Sequence, residues 1–230
     1  MFGIEISILL RVDAIKPEGR QEVGSEMTRN SPFALVRKIA EADCPTRWGN
    51  FRIFGYQKLS PIRENAVALV MGDVKNGLPL IRIHSQCVTG EVLGSLRCDC
   101  GQQLEIALSM IASERAGMII YEEQEGRGIG LMAKLRAYEL QDNGYDTVEA
   151  NQRLGFKSDY RDYRLPAAIL RQFGITKARL LTNNPDKVRA LEIAGIDVIE
   201  RVPCEVVPCS ENENYLRVKK QKLHHLLSVA

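Results

Sequence analysis

The stretch GQQLEIALSMIASERAGMIIYEEQEGRGIGLMAKLRAYELQDNG, residues 101–144, decides the fold. Its first part sets Leu104, Ala107, Leu108, Ile111 and Ala112 at the offsets that gather apolar side chains on one helix face. Gly117 ends that periodicity, and Met118 to Tyr121 is a short apolar strand. The strand runs into Glu125-Gly-Arg-Gly-Ile-Gly130, after which Leu131, Leu135, Tyr138 and Glu139 to Asp142 suit a second helix closed by Asn143-Gly144. Helix, strand, loop and helix in that order predict a layered α/β arrangement.

Toward the C-terminus the alternation continues, with a helix over Pro166 to Phe173, a strand over Ala178 to Leu181, a helix opening at Pro185 and a strand over Asp197 to Val202. The tail from Glu213 to Leu227 reads as a basic amphipathic helix carrying Leu216, Leu223 and Leu227. Toward the N-terminus Phe51, Ile53, Val67, Leu69 and Met71 alternate in strand fashion, and Asn76-Gly77 is a hairpin signal ahead of Leu78 to His84. Ser31-Pro32 offers a cap and a first-turn proline for a helix with Leu35, Val36 and Ile39 on one face, stopped by Pro45. The expectation is an α/β protein with a mixed β-sheet and flanking helices, strand-rich in its N-terminal half and alternating in its C-terminal half. Residues 1–30 are expected to be an N-terminal extension and residues 31–230 a single domain, a length that buries a real core.

Composition narrows the function. With 45% apolar and 26% charged residues the chain is not of a disordered, collagen-like or disulfide-scaffold class. A net charge of +2 gives no whole-molecule field for nucleic acid or an anionic membrane, so an anionic ligand must meet local cations. No apolar run approaches the length of a membrane span, and Ile4 to Leu10 is broken by Glu5 and Ser7 and lacks a basic flank. Cytoplasmic residence is the expectation, and there the six cysteines serve as thiols or metal ligands.

Cys87, Cys98 and Cys100 form a C-x10-C-x-C spacing compact enough for one ion. Three thiolates suit zinc, and three protein ligands leave a position for water and Lewis-acid chemistry. Plain buried thiols, or a closed structural site completed by His84, Cys204 or Cys209, remain alternatives at this point. Cys44, Cys204 and Cys209 read as plain thiols, and His224 and His225 as residues of the solvated tail helix. Gly126, Gly128 and Gly130 let backbone amides approach an anion ahead of a helix, and Arg127 adds a fork for two oxygens. Thr182-Asn-Asn-Pro-Asp-Lys187 repeats that logic at another strand end, and Arg82, Arg161 and Arg164 are further candidate cations.

Several of these segments together resemble one family: Arg82-Ile-His-Ser-Gln-Cys87, Ser95-Leu-Arg-Cys-Asp-Cys-Gly101, Gln124-Glu-Gly-Arg127, Arg136-Ala-Tyr138, Gly144-Tyr-Asp-Thr147 continuing to Asn151, Asp159-Tyr-Arg161-Asp and Leu181-Thr-Asn-Asn-Pro185. They closely resemble GTP cyclohydrolase II of riboflavin biosynthesis, over roughly Ala34 to Leu227, in the stand-alone form. The resemblance implies opening of the guanine imidazole ring, loss of C8 as formate, and release of pyrophosphate by a homodimer. It implies that Cys87, Cys98 and Cys100 hold Zn²⁺, that Tyr138 serves the ring-opening chemistry, and that Asp159 as base and Arg161, as nucleophile or as electrostatic clamp, act at the α-phosphorus. It further implies GTP contacts by Arg82, Ile83, His84, Ser85 and Gln86, and by Gln103, Glu125, Gly126, Arg127, Thr147, Thr182 and Lys187, with Mg²⁺ on the triphosphate. A related enzyme that stops at the formamide carries another residue at the Tyr138 position. Gln86, Gly128 and Glu91 depart from the family's usual Glu, Asn and Asp.

Overall fold

The computed structural model describes residues 36–60 and 64–228. The expected extension over residues 1–30 and the start of the helix expected after Ser31 lie outside the described residues. The strands are β1 (Val36–Thr46), β2 (Gly49–Lys58), β3 (Asn65–Met71), β4 (Leu80–Ser85), β5 (Gly117–Glu122), β6 (Lys177–Leu181) and β7 (Asp197–Val202). The helices are α1 (Val88–Glu91), α2 (Cys100–Glu114), α3 (Leu131–Asp142), α4 (Thr147–Arg153), α5 (Arg164–Gln172), α6 (Pro185–Ile193) and α7 (Glu213–Leu223).

The strands form one mixed sheet in the order β1-β2-β3-β5-β4-β6-β7. β1, β2, β3 and β5 pair antiparallel, and β5, β4, β6 and β7 run parallel. Ile81, Ile83, Met118, Ile120 and Leu180 face Leu165, Ile169 and Leu170 of α5 and Leu191 of α6. Leu80, Ile119 and Leu181 turn to the other face and meet Ala107, Leu108 and Ile111 of α2. Helices on both faces explain why β4 and β5 are buried along nearly their whole length, while β3 alternates. Each fully buried Ile or Leu here stabilises the fold by about 1.5–3 kcal/mol relative to exposure.

The α/β class stands as expected, as do α2, β5, α3, α5, β6, α6 and β7; α4, capped by Asp146 and Glu149, was not foreseen, and three expectations are corrected. Val36 to Thr46 is a strand, not the end of a helix: it pairs with β2 from Val36 opposite Lys58 to Thr46 opposite Gly49, with a bulge between Lys38 and Ala40. As the sheet's edge strand it accommodates Pro45, which has no N–H to donate. Pairing with a neighbouring strand overrides the short helical spacing of Val36 and Ile39. The turn at Asn76-Gly77 exists, with Asp73 Oδ1 accepting from Lys75 N (2.9 Å) and Asn76 N (3.2 Å), but it does not make a hairpin. β5 lies between β3 and β4, so the two strands it connects are not neighbours. The tail helix stops at Leu223, where His224 takes the left-handed conformation (φ 55°).

This topology sets the site. β4, β5, β6 and β7 are parallel, so all four end at one edge of the sheet, where chain order and spatial order diverge; ligands of open α/β sheets bind in that crevice. Ser85 to Cys87, Gln124 to Arg127, Thr182 to Lys187 and Cys204 all follow those ends.

Candidate active site

The loops at this edge line a cleft. Cys87 follows β4 as the residue before α1, Cys98 lies in the turn after it, and Cys100 opens α2. Their sulfurs all lie within 4.8 Å of one another, and no fourth His, Cys, Asp or Glu joins them among the described residues. Two glycines permit the approach: a Cβ on Gly90 would stand 2.8 Å from Cys98 Sγ, and one on Gly101 would stand 2.5 Å from Gly90 O. Hydrogen bonds from Cys100 and Cys98 hold the Cys87 thiol far below its ordinary range, helped by Lys134. Cys98 gains stabilisation from Cys100, yet its bond to Cys87 and its burial push it up to about 11. Cys100 is raised by its bond to Cys87, then by Cys98 and burial. A divalent cation among the three sulfurs would favour the ionised form of each. Cys204 is buried elsewhere, its Sγ donating to Gln103 O (3.7 Å), and Cys209 is absent from the cluster, so neither closes it.

The glycine-bearing loop is a tight turn, Glu125–Gly128, in which Gly126 and Arg127 are both left-handed (φ 61°). For arginine that conformation costs about 1–2 kcal/mol. Gly130 (φ 83°) directly precedes α3. Glu125 ties the turn to the sulfurs: Oε2 accepts from Val88 N (2.7 Å), and Oε1 accepts from Lys134 Nζ (2.8 Å). Lys134 Nζ also donates to Cys87 Sγ (3.1 Å) and Thr89 Oγ1 (2.8 Å). Burial lowers its affinity for a proton, but Glu125 and Cys87 more than compensate and keep it charged. Tyr138, one turn further along α3, places its hydroxyl 3.2 Å from Thr89 Oγ1, which is itself 3.6 Å from Cys87 Sγ. Burial raises the phenol.

Across the cleft the walls are cationic. Arg127 Nη1 and Nη2 are buried without a hydrogen-bond partner among the described residues, which is costly unless a ligand accepts from them. Arg161 reaches the same cleft, pinned by Asp159: its Nε donates to Oδ1 and Oδ2 (3.0 Å each) and its Nη2 to Oδ2 (2.5 Å). Asp159 therefore lies behind Arg161 rather than on the cleft surface. Burial raises its carboxyl, but Arg161 outweighs that and holds it below the usual range. The two arginine loops are stitched together by Tyr160 N donating to Arg127 O (3.0 Å). A Cβ on Gly128 would sit 3.0 Å from Tyr160 Cβ, which accounts for glycine there. Thr182 Oγ1 accepts from Asn184 N (3.0 Å), and Asn184 caps α6. Lys187 Nζ donates to Ile83 O (2.8 Å) and is lowered by burial, then by Arg82 and Arg161. Arg164 pairs with Asp162 on the exposed side and does not line the cleft.

Other expected contacts form the buried floor. Arg82 Nη2 donates to Gln103 Oε1 (2.6 Å), Gln103 Nε2 to Asp99 Oδ2 (2.5 Å) and Lys219 Nζ to Asp99 Oδ1 (2.6 Å). His84 Nε2 bonds Glu91 Oε1 (2.8 Å), and Glu91 Oε2 accepts from Tyr121 (2.5 Å). His84 is pushed down to about 4 by burial, against the bond to Glu91 and with help from Arg82. The departure at Glu91 thus has a defined task, holding His84 and Tyr121. Ile83 packs in the apolar core and offers the site only its carbonyl. Ser85, Gln86 and Thr147 line the cleft, and Ser85 Oγ is buried without a partner. Glu122 at the end of β5 is fully buried and pushed up to about 8 by that burial, against the pull of Lys187 and Arg161.

Sequence reasoning missed Lys134, Tyr215 and Lys219, and misplaced His225. Lys134 lies four residues before Tyr138, which puts both on one face of α3, a signal that was available. Tyr215, Lys219 and His225 come from the tail read as solvated, yet all line the cleft. His224 is the exposed one.

A family model described as GTP cyclohydrolase II matches residues 37–203. The protein named GTP cyclohydrolase-2 of Escherichia coli O45:K1 is 52% identical over 194 residues, covering 84% of this chain and 98% of that one. The riboflavin biosynthesis proteins RibBA of Chlorobium phaeovibrioides and Phocaeicola vulgatus are each 51% identical over 195 residues and 84% of this chain. The chain spans about half the length of these two, at 47% and 48%.

Proposed function

The chain belongs to the GTP cyclohydrolase II family, and on that premise we propose that it hydrolyses GTP to formate, pyrophosphate and a diaminopyrimidinone ribosylamine monophosphate, the first committed step of riboflavin biosynthesis. The observation that carries this reading is one cleft with a nest of three sulfurs beside Tyr138 and, across from it, Arg127 with both terminal nitrogens buried and unpaired. The first suits chemistry on the base and the second suits the phosphates.

Cys87, Cys98 and Cys100 fit zinc: they are soft donors, close together, cradled by Gly90 and countered by Lys134. When bound there the ion would supply Lewis acidity for attack of water on C8 of the base. The chain's own residues do the rest. Lys134 and Thr89 orient the Cys87 and Tyr138 groups, and the Tyr138 hydroxyl stands ready to give or take a proton at the opening ring. Arg161, locked by Asp159, clamps charge on the transferring phosphoryl group with Arg127 and Lys187. A guanidinium held this firmly protonated serves as a clamp rather than a nucleophile. Mg²⁺ enters with the triphosphate, a homodimer is the working form, and the cytoplasm is the site of action. No helix among the described residues is long and apolar enough to cross a membrane.

A shortened reaction ending at the formamide is the second reading; Tyr138 beside Thr89 and the sulfurs favours the full one. The test is mass spectrometry of products from GTP with zinc- and Mg²⁺-loaded protein, on a sample assayed for metal. Formate and pyrophosphate together are expected. Pyrophosphate without formate from zinc-containing protein rejects the full reaction. Cys98→Ser should lower bound zinc and formate release by about 10³-fold.

A further inference from the structure

Beyond α7 the chain doubles back. His225 N donates to Lys219 O (3.0 Å), Leu226 N to Asn183 O (2.8 Å), and Ser228 N and Oγ to Glu205 Oε2 (2.8 and 2.6 Å). The left-handed turn at His224 makes this reversal possible and brings His225 into the cleft wall beside the Thr182–Lys187 loop. The charged groups that bear most on the ring are Lys219 of α7, Arg161 of the segment after α4, Arg127 of the β5 turn and Lys187 of α6, with Asp99 and Asp159 as the ion-pair partners of Lys219 and Arg161. No hydrogen-bond partner holds either ring nitrogen among the described residues. Burial first, then these cations, push the imidazole down to about 2, so it faces them neutral.

We propose that His225 is a phosphate-contacting residue that takes up a proton together with a polyphosphate ligand. The inference deepens the reading of the cleft as a GTP site and rests on it. Phosphate oxygens lying between the ring and the four cations reverse the sign of the local field. The imidazolium is then favoured, and its N–H groups point at the anion. One proton passes from solvent to the ring, and no bond of the ligand is made or broken. A tail that only closed the cleft would leave protonation unchanged.

The experiment is calorimetric titration of the metal-loaded full chain with a GTP analogue whose α–β bridge is methylene, in two buffers of different ionisation enthalpy. For the wild type, proton uptake should rise as pH falls from about 8 to about 6. His225→Gln should bind about tenfold more weakly and lose that uptake. His225→Lys, a fixed cation, should bind like the wild type without uptake. Because Glu122 also titrates near the cleft, the difference between wild type and variants isolates the ring. Thermal melts matching the wild type exclude misfolding, and His225→Lys retains a readout if His225→Gln does not fold. Unchanged uptake and affinity in both variants overturn the role of His225 while leaving the GTP reading intact. No binding by the wild type, with neither formate nor pyrophosphate from GTP, overturns that reading and this one with it.

Discussion

The antiparallel and parallel halves of the sheet treat charge in opposite ways. On β1 and β2 most charges pair across the surface, Arg52 with Glu41 (2.8 Å) and Asp43 (3.4 Å), and Lys38 with Glu41 (2.8 Å), all well exposed, and the one buried cation there, Lys58, has Glu64 and Asp162 as partners. Water solvates each exposed partner, and such pairs contribute little. Beyond the parallel strands, Arg82, Arg127, Arg161 and Lys187 are drawn out of water, and Arg127 keeps two nitrogens without an acceptor. An exposed charge with a partner needs no ligand to explain it, whereas a buried one without a partner does. The contrast separates a half that frames the sheet from a half that works.

The strongest way to break this contrast is to remove a buried cation. Arg127→Ala and Arg161→Ala should each slow pyrophosphate release by about 10²–10³-fold, measured in single-turnover assays. Arg161→Lys should recover little, because lysine cannot reproduce the fork held by Asp159. Ile120→Ala, in the core shared by both halves, should cost about 2–5 kcal/mol in urea unfolding, with kcat per folded molecule nearly unchanged. Acid should act through the parallel half. His84 is depressed to about 4 when folded against an unfolded value near 6.5, so its contribution is complete above that value and fades as pH falls to about 4. The loss amounts to about 3 kcal/mol, and denaturation curves of His84→Gln should show a shallower decline. At the small end, Arg52→Ala should change stability by about 0–1 kcal/mol. A larger effect would show that the antiparallel ladder is not the passive frame described above.

What was legible in the sequence follows the range of the interactions. α2, β5, α3, α6 and β7 are legible from residues in or next to each element, as Asn184 and Pro185 mark the start of α6. The sulfur spacing and the Arg127 turn are equally local. β1 was hidden because its strand character depends on the register with β2. The insertion of β5 between β3 and β4 was hidden because nothing near Asn76-Gly77 reports which strands pair. The tail's part in the cleft was hidden for the same reason: Lys219 finds Asp99 from 120 residues away, and Lys222 finds Asp146 and Glu149. Sequence located the reacting groups in loops, but not the far-off residues that hold them.

The three sulfurs come from one short stretch between the end of β4 and the first turn of α2, whereas the cations that face them arrive from β4, the β5 turn, the segment after α4 and α6. A chain leaving the ribosome exposes Cys87, Cys98 and Cys100 long before Lys187 is synthesised. During biogenesis, the means of gripping a metal therefore precede the means of gripping a nucleotide.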